Sequence, residues 1–140
     1  PANLLFSGER YLATVEESQL PWLYRIKTPM TAGIKMAFAS DSPVIPLDPI
    51  MGIYGAVTRQ AENGEVLLPE ECITAQQALE LYTLNGAYAS FEEKIKGTLA
   101  PGKLADMVVL SDDPLTAPLE KLKDIKVEKT IIGGEVVWEA

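Results

Sequence analysis

An α/β fold that closes on a small antiparallel β-unit is the class this sequence predicts, and three observations predict it. A short apolar run at 34–39 leads into Ser40-Asp41-Ser42-Pro43. A strong helix start, Asp48-Pro49, follows, so strand, loop and helix form one βα unit. The last third carries short apolar runs around Gly133-Gly134, the composition of a two-residue hairpin turn. A boundary near residue 96 separates an α/β part, residues 1–96, from a small β part, residues 97–140.

Along the chain, residues 1–19 read as irregular. Thr28 is placed to cap, and Pro29 to open, a very short helix that Gly33 stops. Residues 34–39 are apolar except for Lys35 and read as a strand buried on both faces, the parallel-sheet pattern. After Asp48-Pro49, the residues Ile50, Ile53, Tyr54 and Val57 make one helical stripe, with Asn63-Gly64 as its stop. Thr74 and Gln77 have the spacing of a capping box, and Ala75, Ala78, Leu79 and Tyr82 form the buried face behind it. Asn85-Gly86 breaks or bends that helix, and 87–94 holds a further turn or two. Strands are expected at 106–110, 125–132 and 135–138, with a turn at Ser111-Asp112-Asp113-Pro114.

Composition narrows the function classes. At 47% hydrophobic and 23% charged, a chain of 140 residues has the make-up of a folded soluble domain, not a disordered one. A net charge of −8 argues against nucleic acid or anionic membranes as partners. The basic residues at 121–129 are interrupted by Asp124 and Glu128 and read as a solvated face. A single cysteine, Cys72, cannot form an internal disulfide, which points to a reducing, cytoplasmic setting and a structural role for the thiol. A start at Pro1 instead of Met suggests a processed, cloned or cleaved fragment of a longer product.

Asp41 is the candidate for chemistry. An aspartate at the end of a buried strand is how a barrel presents an acid or base at its rim. Local sequence leaves this reading level with a second one, an Asx turn ahead of Pro43. Asp48 reads as a helix cap, Glu70-Glu71 and Glu92-Glu93 as solvated charges, Asp106 as fixing a turn into the strand, and Asp112-Asp113 as a turn. Arg59 and Tyr54, on the helix after the loop, are remote candidates for a substrate contact. The chain contains no histidine.

Three strings in order carry a resemblance: Phe38-Ala39-Ser40-Asp41-Ser42-Pro43-Val44, Asp48-Pro49-Ile50, and Gly97-Thr98-Leu99-Ala100-Pro101-Gly102-Lys103-Leu104-Ala105-Asp106-Met107-Val108-Val109-Leu110. Together they resemble the C-terminal portion of the amidohydrolase superfamily of metal-dependent hydrolases, with the Ser-Asp-x-Pro form most similar to the family 3 branch. The resemblance implies the C-terminal part of a (β/α)8 amidohydrolase barrel plus a small antiparallel β-subdomain, with 34–39 as the eighth barrel strand. It implies that Asp41 is a metal-site or general acid–base carboxylate in a parent enzyme that hydrolyses non-peptide C–N bonds with a divalent metal, zinc by expectation, on a small-molecule substrate. Family members use a His-x-His pair, a carboxylated Lys or Glu, and two further His, none of which this chain supplies. The isolated chain is therefore expected to bind no metal and to be inactive, associating with a missing N-terminal barrel portion or with itself. The alternative is a non-catalytic oligomerising α/β module derived from such an enzyme.

Overall fold

The stripe that follows Asp48 becomes the central helix of the computed structural model, which describes residues 1–140. This helix is preceded by two others: α1 (Ala2–Thr14) and α2 (Lys27–Thr31). As α3 it spans Pro49–Thr58, with the Asp48 carboxylate accepting from Ile50 N at 2.9 Å as the N-cap. Ile50, Ile53, Tyr54 and Ala56 are buried along it. Helices α1 and α4 (Ala75–Tyr82) pack against α3. A 3-10 segment at Leu119–Asp124 also packs there and delivers Leu122 to the same core.

Residues 1–19 are not irregular, because α1 occupies most of them. Leu4, Leu5, Gly8, Tyr11 and Leu12 recur at helical spacing, and Leu4 and Leu5 are buried. The helix carries no side-chain cap, so no start signal marks it in the sequence. Gly8 lies where α1 meets the 59–67 segment. A Cβ there would sit 2.8 Å from the Ala61 Cβ.

Helix α2 also departs from expectation. It begins at Lys27, ahead of Thr28, and is not capped by a side chain of its own. The carboxylate of Glu71 does that work from a distant part of the chain. Asn63-Gly64 is not a helix stop either. Helix α3 ends at Thr58, and Arg59 turns into the left-handed region (φ +57°). Residues 59–67 then double back, with Gln60 bridged to Val66 and Ala61 N donating to Glu65 O at 2.8 Å.

The capping box forms as read: Thr74 Oγ1 accepts from Gln77 N at 3.1 Å, and Thr74 N donates to Gln77 Oε1 at 2.9 Å. Ala78 and Leu81 are the fully buried residues of α4, while Ala75, Leu79 and Tyr82 are packed against the core only in part. Helix α5 (Leu84–Ala89) follows at once and contains Asn85-Gly86 within it.

Residues 34–39 are neither helical nor paired in a ladder, and they are not buried on both faces. Phe38 N donates to Leu81 O at 2.9 Å, and Asn85 Nδ2 donates to Met36 O at 2.9 Å, which beds the segment on α4 and α5. Met36 and Phe38 rest half-buried against the helical core, whereas Ile34, Lys35, Ala37 and Ala39 are exposed. A parallel strand is covered on both faces and hydrogen-bonded along its edges by neighbours. Within residues 1–140 the helices supply one face and no strand supplies an edge.

The C-terminal third forms a three-stranded antiparallel sheet in the order β1 (Met107–Leu110), β2 (Val127–Ile132) and β3 (Glu135–Glu139). Gly133 and Gly134 take φ of +59° and +88°, the two positive values that a tight primed turn demands. Asp106 ties this hairpin to the preceding loop, its Oδ1 accepting from Gly133 N at 2.8 Å. Val108, Val136, Val137 and Trp138 are exposed on the sheet. No helix of the chain is long and apolar enough to cross a membrane.

Candidate functional site

Asp41 stands at the end of the bedded segment in the left-handed region, at φ +64°. Aspartate tolerates that conformation better than most residues. Ser42 N donates to Ser40 Oγ at 3.2 Å and Val44 N to Asp41 O at 2.9 Å, so the loop backbone is held on both sides of Asp41. The side chain is exposed, and its Oδ2 accepts from Asn3 Nδ2, in the first turn of α1, at 3.0 Å.

The charge of Asp41 reaches one member of a tyrosine pair. The hydroxyls of Tyr11 and Tyr24 are 2.9 Å apart and their ring centroids 5.4 Å apart. The Tyr24 phenol is pushed up to about 12, first by burial, then by the bond to Tyr11, with the Asp41 charge acting in the same direction. It therefore stays a neutral hydroxyl at physiological pH. Asp41 and Asn3 thus bring together two separate stretches of sequence, and of these only Asp41 carried a signal in the sequence.

The other candidates are structural. Arg59 is fully buried (0% exposed), which leaves it no route to a substrate. Its guanidinium donates to the carbonyls of Leu67 at 3.0 Å and Tyr24 at 2.7 Å, and to that of Leu23 at 3.4 Å. Burial lowers its pKa, offset in part by Cys72, Glu71 and Glu70. Tyr54 is buried too, and its hydroxyl donates to Gln60 Oε1 at 3.0 Å.

Glu71 is not a solvated charge. It is 4% exposed, and its Oε2 accepts from Ile26 N at 2.8 Å and Thr28 N at 2.9 Å, while Oε1 takes the Thr28 hydroxyl. Glu93 is half-buried, with Oε2 cut off from both water and hydrogen-bond donors, whereas Glu92 pairs with Lys96. Asp113 accepts from Leu115 N at 2.9 Å in the turn expected there. Burial pushes the half-buried Cys72 thiol up, so it is held in its un-ionised form.

A cavity of about 700 Å³ opens between α4, α5, the loop 96–99 and the start of β1, lined in part by Tyr82, Ser90, Thr98 and Val108. A second, of about 460 Å³, lies beside Lys27 and Glu71. Asp41 lines neither of them, and its side chain is exposed.

The donor set bears directly on metal binding. A structural or catalytic zinc takes about three or four protein ligands. No three acidic, cysteine or histidine side chains of this chain converge on a point, and the one side chain that donates to the Asp41 carboxylate is the Asn3 amide. Residues 1–140 therefore do not fit a metal ion by themselves, and Asp41 can contribute one ligand at most.

Comparison with known proteins places this arrangement. A family model described as "Amidohydrolase family" matches residues 7–138. The chain is 38% identical over 116 residues to YtcJ of Bacillus subtilis, a protein named as an amidohydrolase, covering 81% of this chain and 22% of that protein. It is 32% identical over 117 residues to the N-substituted formamide deformylase of Arthrobacter pascens, covering 84% of this chain and 22% of the enzyme. In structure it is similar to an uncharacterized metal-dependent hydrolase from Pyrococcus horikoshii, with a TM-score of 0.72, 29% identity, and coverage of 85% of this chain and 25% of that one. The chain thus spans about a fifth of the length of the curated relatives it matches. A match running through the Asp41 loop and the 97–110 string to the closing hairpin, at these identities, makes the chain a member of the amidohydrolase family.

Proposed function

We propose that this chain is the C-terminal segment of a metal-dependent hydrolase of non-peptide C–N bonds, in which Asp41 is the metal-site and acid–base carboxylate. Residues 1–96 are, in this reading, the last part of a (β/α)8 barrel, with 34–39 as its eighth strand, and residues 97–140 belong to a β-subdomain. The observation that carries it is the presentation of Asp41. An exposed carboxylate ends a segment bedded on two helices, in a loop whose backbone is hydrogen-bonded on both sides. That no strand pairs with 34–39 leaves room for a neighbouring strand from outside residues 1–140 along the edge away from α4 and α5.

A divalent ion, zinc in this proposal, supplies a nucleophilic water at neutral pH when bound. Its remaining ligands come from outside residues 1–140. The part played by Asp41 is proton transfer: one carboxylate oxygen takes a proton from the attacking water and returns it to the departing nitrogen. The Tyr24 hydroxyl, kept neutral by burial and its bond to Tyr11, lies within range of the Asp41 charge. The substrate is a small molecule with an amide-like C–N bond. The partner of this chain is the remainder of the barrel.

Asp41→Asn in the enzyme that carries this segment is expected to lower turnover about 100–10,000-fold, the range for loss of a general acid–base group. Turnover at the unmodified rate would overturn the assignment. The 140-residue chain alone, given zinc and N-acyl amino acids or cyclic amides, is expected to show no Asp41-dependent turnover. A second reading, a non-catalytic module that self-associates, is favoured by the exposed Val136, Val137 and Trp138. A concentration-dependent dimer in sedimentation, together with inactivity after the remainder of the barrel is supplied, would select it.

A further inference from the structure

We propose that Asn3 is a positioning residue for Asp41: its side-chain amide turns one carboxylate oxygen toward α1 and leaves the other free for proton transfer. The inference rests on Asp41 being the acid–base carboxylate.

The bond from Asn3 Nδ2 to Asp41 Oδ2, at 3.0 Å, joins residues 38 positions apart, and no other protein group donates to that carboxylate. The backbone bonds of Ser42 and Val44 fix where the Asp41 Cβ sits. They leave its two side-chain torsions open, and with an exposed carboxylate those torsions are otherwise unrestrained. Asn3, by contrast, rides on a rigid element. Its neighbours Ala2, Leu4 and Leu5 are all buried, which pins the first turn of α1 to the core. The amide therefore transmits the position of the core to a side chain on an open loop.

The arrangement suits proton transfer better than it suits stability. A partly exposed amide–carboxylate bond adds little to folding, because water competes for both partners. For catalysis the same bond matters more, since a reacting carboxylate has to be held at a fixed distance and angle. The amide is also neutral, so it orients Asp41 without pairing off its charge, as an arginine or lysine would.

Two measurements test the role. In the 140-residue chain, the side-chain amide protons of Asn3 are followed by heteronuclear NMR. Asp41→Asn is expected to shift them, and protons that stay in place would overturn the contact. In the enzyme that carries the segment, Asn3→Leu keeps the size and removes the donor. It is expected to lower kcat about 10–100-fold, as loss of a group that orients a site residue does. KM should change by less than about twofold, and Asn3→Gln, which retains an amide, should recover part of the loss. Circular dichroism of Asn3→Leu checks that α1 still forms. If Asp41→Asn abolishes turnover while Asn3→Leu leaves kcat unchanged, the positioning role is wrong and the reading of Asp41 stands. If Asp41→Asn leaves turnover intact, the reading of Asp41 fails, and the role of Asn3 with it.

Discussion

Replacing Glu71 with glutamine should destabilise the chain, and the size of the loss should depend on pH. The wild-type carboxylate takes two backbone N–H groups, of Ile26 and Thr28, on Oε2 and the Thr28 hydroxyl on Oε1. Glutamine can still accept the two N–H groups on its one oxygen, but without the charge. Hydrogen bonds to a charged group contribute about 1.5–3 kcal/mol and neutral ones about 0.5–1.5, so Glu71→Gln should cost about 1–2 kcal/mol. The site is 4% exposed, so solvent screening takes little from that figure. Glu71→Ala leaves two N–H groups without their acceptor and should cost about 3–5 kcal/mol.

The pH dependence has a definite sign. Burial alone would raise the Glu71 pKa, but hydrogen bonds from the Thr28 side chain and the backbone of Thr28, Ile26 and Lys27 outweigh it and bring the folded value below 4.5. The unfolded chain therefore takes up the proton first as pH falls. The stabilisation is complete above 4.5 and is lost as pH drops through the lower folded value. Urea unfolding followed by circular dichroism, at a series of pH values, measures this directly. The gap between wild type and Glu71→Gln should be steady from about pH 7 to 5.5 and should narrow below about 4.5. Equal midpoints near neutrality, or a gap that persists undiminished at about pH 3, would overturn this account of Glu71.

Two further perturbations follow from the packing. Gly8→Ala puts a methyl 2.8 Å from the Ala61 Cβ and 3.2 Å from Leu67 Cδ1, where the 59–67 segment has little room to yield. Overpacking of this kind costs about 1–3 kcal/mol, which should outweigh the gain of about 0.5–1 kcal/mol from alanine in a helix, so thermal unfolding at a higher temperature than wild type would contradict it. Asp106→Ala removes the acceptor that Gly133 N uses at 2.8 Å. The expected loss is about 0.5–1.5 kcal/mol, with faster hydrogen exchange at the Gly133 amide, and unchanged exchange would argue against the tie.

Features whose partners lie within a few residues of one another were legible in the sequence. Asp48 caps α3 through an amide two positions away, Thr74 and Gln77 close on each other three positions apart, and Gly133-Gly134 folds its own hairpin. The strings around Asp41 and at 97–110 also carried the family, because they are contiguous. Helix α1 was hidden in the same text. Its apolar spacing is present, but no cap announces it.

Which polar groups became buried, and who their partners are, emerged only once the helices had come together. Nothing near Glu71 in sequence shows that it closes on residues 26–28, 43 to 45 positions away. Nothing near Arg59 shows that its guanidinium reaches the carbonyls of Leu23 and Tyr24. The same holds for Asn3 and Asp41, which meet across 38 positions. One cause is common to all three. A short-range hydrogen bond is fixed by local backbone torsions, which residue type biases directly. A long-range one exists only after α1, α3 and α4 have packed, and that packing is set by buried apolar surface, which has no directional preference for any particular polar partner.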